Sequence, residues 1–133
     1  METRSINEHY AEIAAELIDT EDLFIDIANS QATIIYLSSD YEKKKQDKIV
    51  KGECEKVQDK NKWAIPADFT ITLYEPNLYG MSEEGIKRVI FHELLHVGIE
   101  FKDDGSERYY IKEHDLEDFK ECIDRWGTDW SEI

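Results

Sequence analysis

The spacing of apolar positions changes along the chain, and each change marks an element. Residues 5–19 begin with Ser5 and Glu8 in capping-box spacing, and Ile6, Tyr10, Ile13, Leu17 and Ile18 then fall on one helical face. ATIIYLS, residues 32–38, is short and β-branched, as a buried strand would be. DFTITLYEP alternates Phe69, Ile71 and Leu73 against Thr70, Thr72 and Tyr74 until Pro76 stops it, which predicts a second strand. Between them, YEKKKQDKIVKGECEKV reads first as a lysine-rich solvated turn, with a basic contact site as the alternative. Its second half reads as an edge strand, and the lysines would oppose edge-to-edge pairing.

The helical period returns in MSEEGIKRVIFHELLHV. Ser82 suits the N-cap, Glu83 and Glu84 lie where the helix dipole favours acids, and Gly98 sits near the end. A last helix is predicted in HDLEDFKECIDRWG, with Leu116, Phe119, Ile123 and Trp126 on one face and Gly127 at the stop. Three strands and three helices without repeats or a linker predict an α+β fold, a small sheet with helices packed on it, in one domain spanning residues 1–133.

The chemistry lies in RVIFHELLHVGIEF. Ile86, Val89, Ile90, Leu94 and Val97 form the core-facing stripe, and Glu93 starts from that same face. A carboxylate buried there without a partner would cost several kcal/mol, so it needs a counter-charge or a task. His92 and His96 are one turn apart on the flank of the stripe, which sets their Cβ atoms about 5–6 Å apart. Two neutral imidazoles so placed can converge on one zinc ion at about 2.0–2.1 Å. This is the HExxH pattern, in which the glutamate faces the metal's water and takes its proton while a carbonyl is attacked. The alternative is two core-edge histidines and a buried acid neutralised by Arg88 or Arg125.

A catalytic zinc site has three protein ligands and one open position. The metzincin continuation is absent, since Ile99 and Lys102 stand where glycine and histidine would be needed. Glu100, on a continuing helix, would lie about 12 Å along the axis from His92. The downstream candidates are Glu113, His114, Glu117 and Glu121. His114 is preferred, with Asp115 beside it to cap the helix or orient the ring, and Glu117 is the alternative. Tyr109, Tyr110 and Arg108 are candidates to stabilise an oxyanion, or simply core and surface residues. His9 reads as a surface residue of the first helix.

Composition narrows the partners. Sixteen basic residues against 31 acidic ones give a net charge of −15, which disfavours nucleic acid and anionic membranes. The acidic start is unlike a secretory signal, and no segment approaches the ~18 apolar residues of a membrane span. Cys54 and Cys122, far apart and without a CxxC partner, read as reduced structural thiols. A cytoplasmic location is therefore expected.

FHELLHVGIE followed by YYIKEHDLEDFKECIDRWGTDW resembles the phage metallopeptidase family, found in phages and prophage regions of bacteria, and GECEKV and DFTITLYE fit its upstream portion. The resemblance covers roughly residues 31–130, after an N-terminal helical segment, and extends more distantly to the SprT-like group. It implies a small zincin-like domain in which His92, His96 and His114 hold zinc, Glu93 is the catalytic base, and the substrate is a peptide or protein in the bacterial host cytosol. A noncatalytic, zinc-stabilised acidic interaction protein and another zinc hydrolase are the competing readings.

Overall fold

The computed structural model describes residues 1–114 and 119–127. It has an α+β fold. Its main sheet contains β1 (Arg4–Ile6), β2 (Ile34–Ser39), β6 (Phe69–Tyr74) and β5 (Gly52–Lys56) in the order β1-β2-β6-β5. β2 and β6 run parallel, from Ile34 opposite Phe69 to Ser39 opposite Tyr74, and β1 and β5 flank them antiparallel.

β6 is buried along its whole length because both faces of the sheet are covered. Phe69, Ile71 and Leu73 enter the core with Tyr10 and Leu17 of α1 (Glu8–Thr20) and Val89, Ile90 and Leu94 of α3 (Glu83–Leu95). The opposite face, carrying Thr70, Thr72 and Tyr74, lies under a polar layer. There Arg4 donates to Thr72 Oγ1 at 3.2 Å, Tyr74 donates to Glu53 Oε1 at 2.5 Å, and Lys43 pairs with Glu53.

The first helix starts later than its sequence pattern predicts. Asn7, not Ser5, is the cap: its side chain accepts from the Tyr10 N–H at 3.0 Å, while its own N–H donates to the Tyr36 carbonyl at 2.9 Å. Pairing of β1 with β2 draws Ser5 into the sheet and leaves Ile6 exposed instead of on a helical face. A 3-10 turn and the short α2 (Ile25–Asn29) lead into β2. The lysine-rich segment forms β3 (Lys44–Lys45) and β4 (Lys48–Ile49) around Gln46 and Asp47, whose φ values of 53° and 64° are those of a two-residue hairpin turn.

After α3 the chain departs most from its predicted course. The helix ends at Leu95, and Val97–Phe101 (β7) pairs antiparallel with Glu107–Ile111 (β8). Gly98 is therefore a strand residue, not a helix stop, and Glu100 lies on the hairpin, where it accepts from Arg108 at 2.9 Å. The predicted last helix is α4 (Lys120–Trp126), preceded by Phe119 in extended conformation and closed by Gly127 at φ 85°. Leu116 lies outside the described residues. Among those described, no helix is long and apolar enough to cross a membrane, and both cysteines are free thiols, Cys122 fully buried and Cys54 half-buried.

Candidate metal centre

The two histidines of α3 sit where the helical period puts them, with ring centroids 5.2 Å apart. His96 is the C-cap residue but keeps helical φ and ψ of −76° and −17°, so ending the helix does not swing its ring away from His92. The hairpin then returns to this turn. Lys112, just beyond β8, donates its N–H to the His96 carbonyl and accepts a hydrogen bond from His96 Nδ1 through its own carbonyl, both at 2.7 Å. Because a carbonyl only accepts, Nδ1 carries the proton and the His96 Nε2 lone pair is free to bind a metal.

The pairing that sets Val97 opposite Ile111 and His96 opposite Lys112 brings His114 over the two helix histidines. Its ring centroid is 5.0 Å from that of His92 and 4.6 Å from that of His96, and its Nε2 faces His92 Nε2 at 3.1 Å. His92 Nδ1 points the other way, 3.9 Å from the buried Cys122 sulfur. One nitrogen from each of the three imidazoles lies within 4.8 Å of the others. That separation and donor chemistry fit a single zinc-like ion, which draws imidazole nitrogens to about 2 Å.

Phe119 closes the back of the cluster. Only 6% exposed, it packs its ring edge-on to His92, His96 and His114 at centroid distances of 5.3, 4.8 and 4.9 Å. The sequence pattern placed Phe119 on a core-facing helix, where nothing would single it out from Ile123 or Trp126. Burial pushes the His96 imidazole down to about 4; the Lys112 carbonyl opposes this, and the neighbouring His92 and His114 add to it. His96 is thus held neutral, the form that ligates metal.

Glu93 is 5% exposed, with its Oε2 4.0 Å from His92 Nε2. It reaches the site because β5 passes close to α3 at Gly52. A Cβ on Gly52 would lie 3.3 Å from Glu93 Cγ, 3.2 Å from Val89 Cγ1 and 3.3 Å from the Thr72 carbonyl oxygen. Burial, with the Glu93 charge adding to it, pushes the nearby Cys54 thiol up, so it stays protonated. The two arginines considered as neutralising partners are engaged elsewhere, Arg88 with Glu84 at 3.4 Å and Arg125 with Glu21 and Glu121 at 2.9 and 2.7 Å.

The remaining candidates separate clearly. Tyr109 donates to Glu107 at 2.7 Å and packs on Phe69, Arg108 is bonded to Glu100, and Tyr110 lies over Gly98. Glu121 is paired with Arg125 and Glu113 is exposed. His9 is a surface residue, tied to Glu83. Asp115 and Glu117 lie outside the described residues.

No curated protein and no solved structure matches this chain. Residues 3–133 do match a known family, described as "Putative phage metallopeptidase". That family implies a metal, in keeping with three imidazoles facing one another beside a buried glutamate. The match extends over nearly the whole sequence, and the chain belongs to the phage metallopeptidase family.

Proposed function

We propose that this chain is a zinc-dependent peptidase in which His92, His96 and His114 hold the metal and Glu93 is the general base. The observation that carries this reading is the convergence of three imidazole nitrogens within 4.8 Å of one another next to a glutamate that is 5% exposed. A bound zinc supplies Lewis acidity, bringing a water's pKa toward about 7 and polarising the carbonyl to be attacked. Three imidazoles form the donor set of a site that keeps one position open for chemistry.

The chain's own groups supply the rest. Glu93, in low-dielectric surroundings, takes the proton from the attacking water and later delivers it to the departing amine. The Lys112 carbonyl keeps His96 in the tautomer that leaves Nε2 as a donor. Phe119 shields one side of the three rings from water.

A peptide substrate suits the neighbouring backbone. β5 is an edge strand, and its bonds to β6 flank Gly52, Cys54 and Lys56, whose N–H and C=O groups face away from the sheet. This edge runs past Glu93 at Gly52, so an extended segment pairing with it would bring its own carbonyls toward the base. The acidic chain would act in the cytosol of a bacterial host on peptide or protein substrates.

The test is cleavage of a proteome-derived peptide library, read by mass spectrometry, with zinc content measured on the same samples. Wild type should cleave, and Glu93→Gln should keep zinc but lose most cleavage. Equal cleavage by both would remove Glu93 from its role. Zinc binding without cleavage by either would point to the noncatalytic interaction protein.

A further inference from the structure

We infer that Gly98 and Tyr110 form a positioning pair that sets the third metal-binding residue, His114, by holding the β7–β8 hairpin against the end of α3. The inference rests on the reading of the three histidines as a metal site. Gly98 and Tyr110 face each other across the hairpin. The Tyr110 ring crosses the space that a side chain at 98 would occupy: a Cβ there would lie 2.6 Å from Cδ2 and Cε2 and 2.7 Å from Cζ. No residue other than glycine leaves room for the ring in this position.

The ring is held from a second side as well. The Arg108 guanidinium stacks over it at 4.7 Å. It also lines, with Leu23, Phe24, Leu94 and Leu95, a cavity of about 60 Å³ where the α2 region, the last turn of α3 and the hairpin meet. Tyr110 therefore lies where the hairpin meets the turn that carries His96. Two residues further on, Lys112 makes both of its bonds to His96, and two beyond that is His114. A methyl at 98 either pushes the ring off its seat or spreads β7 from β8, and both movements are passed along β8 to Lys112 and His114.

This placement differs from simple core packing in what it controls. Tyr110 is partly exposed, and Gly98 has no side chain to bury. Their joint effect is on the register and angle at which the hairpin reaches α3. Metal affinity should therefore respond more strongly than the stability of the metal-free chain.

The experiment titrates Gly98→Ala, Tyr110→Ala and the double variant of the full chain with Co²⁺, read by its visible spectrum, and with Zn²⁺ by competition, alongside metal-free thermal melts. Gly98→Ala should weaken zinc binding about 10- to 100-fold, as loss of an outer-shell support does, with a reduced tetrahedral cobalt band. In the Tyr110→Ala background the same substitution should have little further effect, because the ring it displaces is gone. Wild-type affinity in Gly98→Ala, or the same loss in both backgrounds, overturns the inference. Should Gly98→Ala fail to fold, Tyr110→Ala alone must show the affinity loss, and unchanged affinity there overturns it equally. A wild type that binds neither metal removes the metal-site reading itself, and this inference with it.

Discussion

Lys112 holds His96 at two points, by an N–H bond to its carbonyl and a carbonyl bond from its Nδ1, each 2.7 Å long. Both use the Lys112 backbone, so the lysine side chain is dispensable. Lys112→Ala should bind zinc like the wild type, whereas Lys112→Pro, which lacks the N–H, should bind about 10- to 100-fold more weakly. Isothermal titration against a zinc buffer distinguishes the two, and equal affinities would show that the clamp does not support the site.

His114 lies at the cluster, its Nε2 3.1 Å from that of His92. His114→Ala should cost more than about 100-fold in zinc affinity, beyond the loss typical of an outer-shell group, while Glu117→Ala should leave coordination intact. The opposite ranking in a competition assay would assign the site to two histidines and a glutamate.

Phe119 touches all three imidazoles and is almost fully buried. Phe119→Ala should destabilise the chain by about 3 kcal/mol, the lower end for a buried Phe-to-Ala change, and let water reach the rings. Denaturant melts of the metal-free and zinc-loaded forms should show the loss in both. A loss below about 1 kcal/mol would mean that the ring is not packed as described.

Gly52 leaves Glu93 its place between β5 and α3: a Cβ there would lie 3.2–3.3 Å from three neighbouring atoms, closer than ordinary van der Waals contact. Since one of those neighbours is backbone, the others must move. Gly52→Ala should cost about 1–2 kcal/mol and lower kcat while zinc content stays at the wild-type level. Wild-type turnover would show that Glu93 does not depend on this close approach.

The sheet's outer face provides a pH test away from the three histidines. Burial alone would raise the Glu53 carboxyl, but the Lys43 ammonium and the Tyr74 hydroxyl outweigh it and hold its pKa below the ordinary value of 4.5. A carboxyl whose folded pKa is depressed adds stability above its unfolded pKa, and this is lost as pH falls through the folded value. Acid unfolding of the metal-free chain should therefore steepen below about pH 4.5, and Glu53→Gln should flatten that limb. An unchanged acid limb in the variant would exclude Glu53 as its source.

His92, Glu93 and His96 were legible in the sequence because their relationship is local. A helix repeats every 3.6 residues, so spacing alone puts two imidazoles side by side and a glutamate on the core face. The strands β2, β5 and β6 and the helical stretch of α3 were legible for the same reason: each announces itself within a few residues. The β7–β8 hairpin was missed although VGIEF, KDDGS and ERYYI carry strand and turn signals, because the helical period of HELLHV was extended through Val97. Capping by Asn7 was missed for a related reason, since only the pairing of β1 with β2 removes Ser5 from the helix.

The sequence by itself determined which side chains share the helix flank, two imidazoles with a carboxylate beside them at fixed helical offsets, and named His114 as a partner without a means to place it. Tertiary structure decided that His114 meets His92 across 22 positions of chain, because strand register is set by cross-strand hydrogen bonds and side-chain fit that no local period encodes. It decided, too, that Phe119 backs the rings and that Gly52 makes room for Glu93, both consequences of close packing between elements distant in sequence.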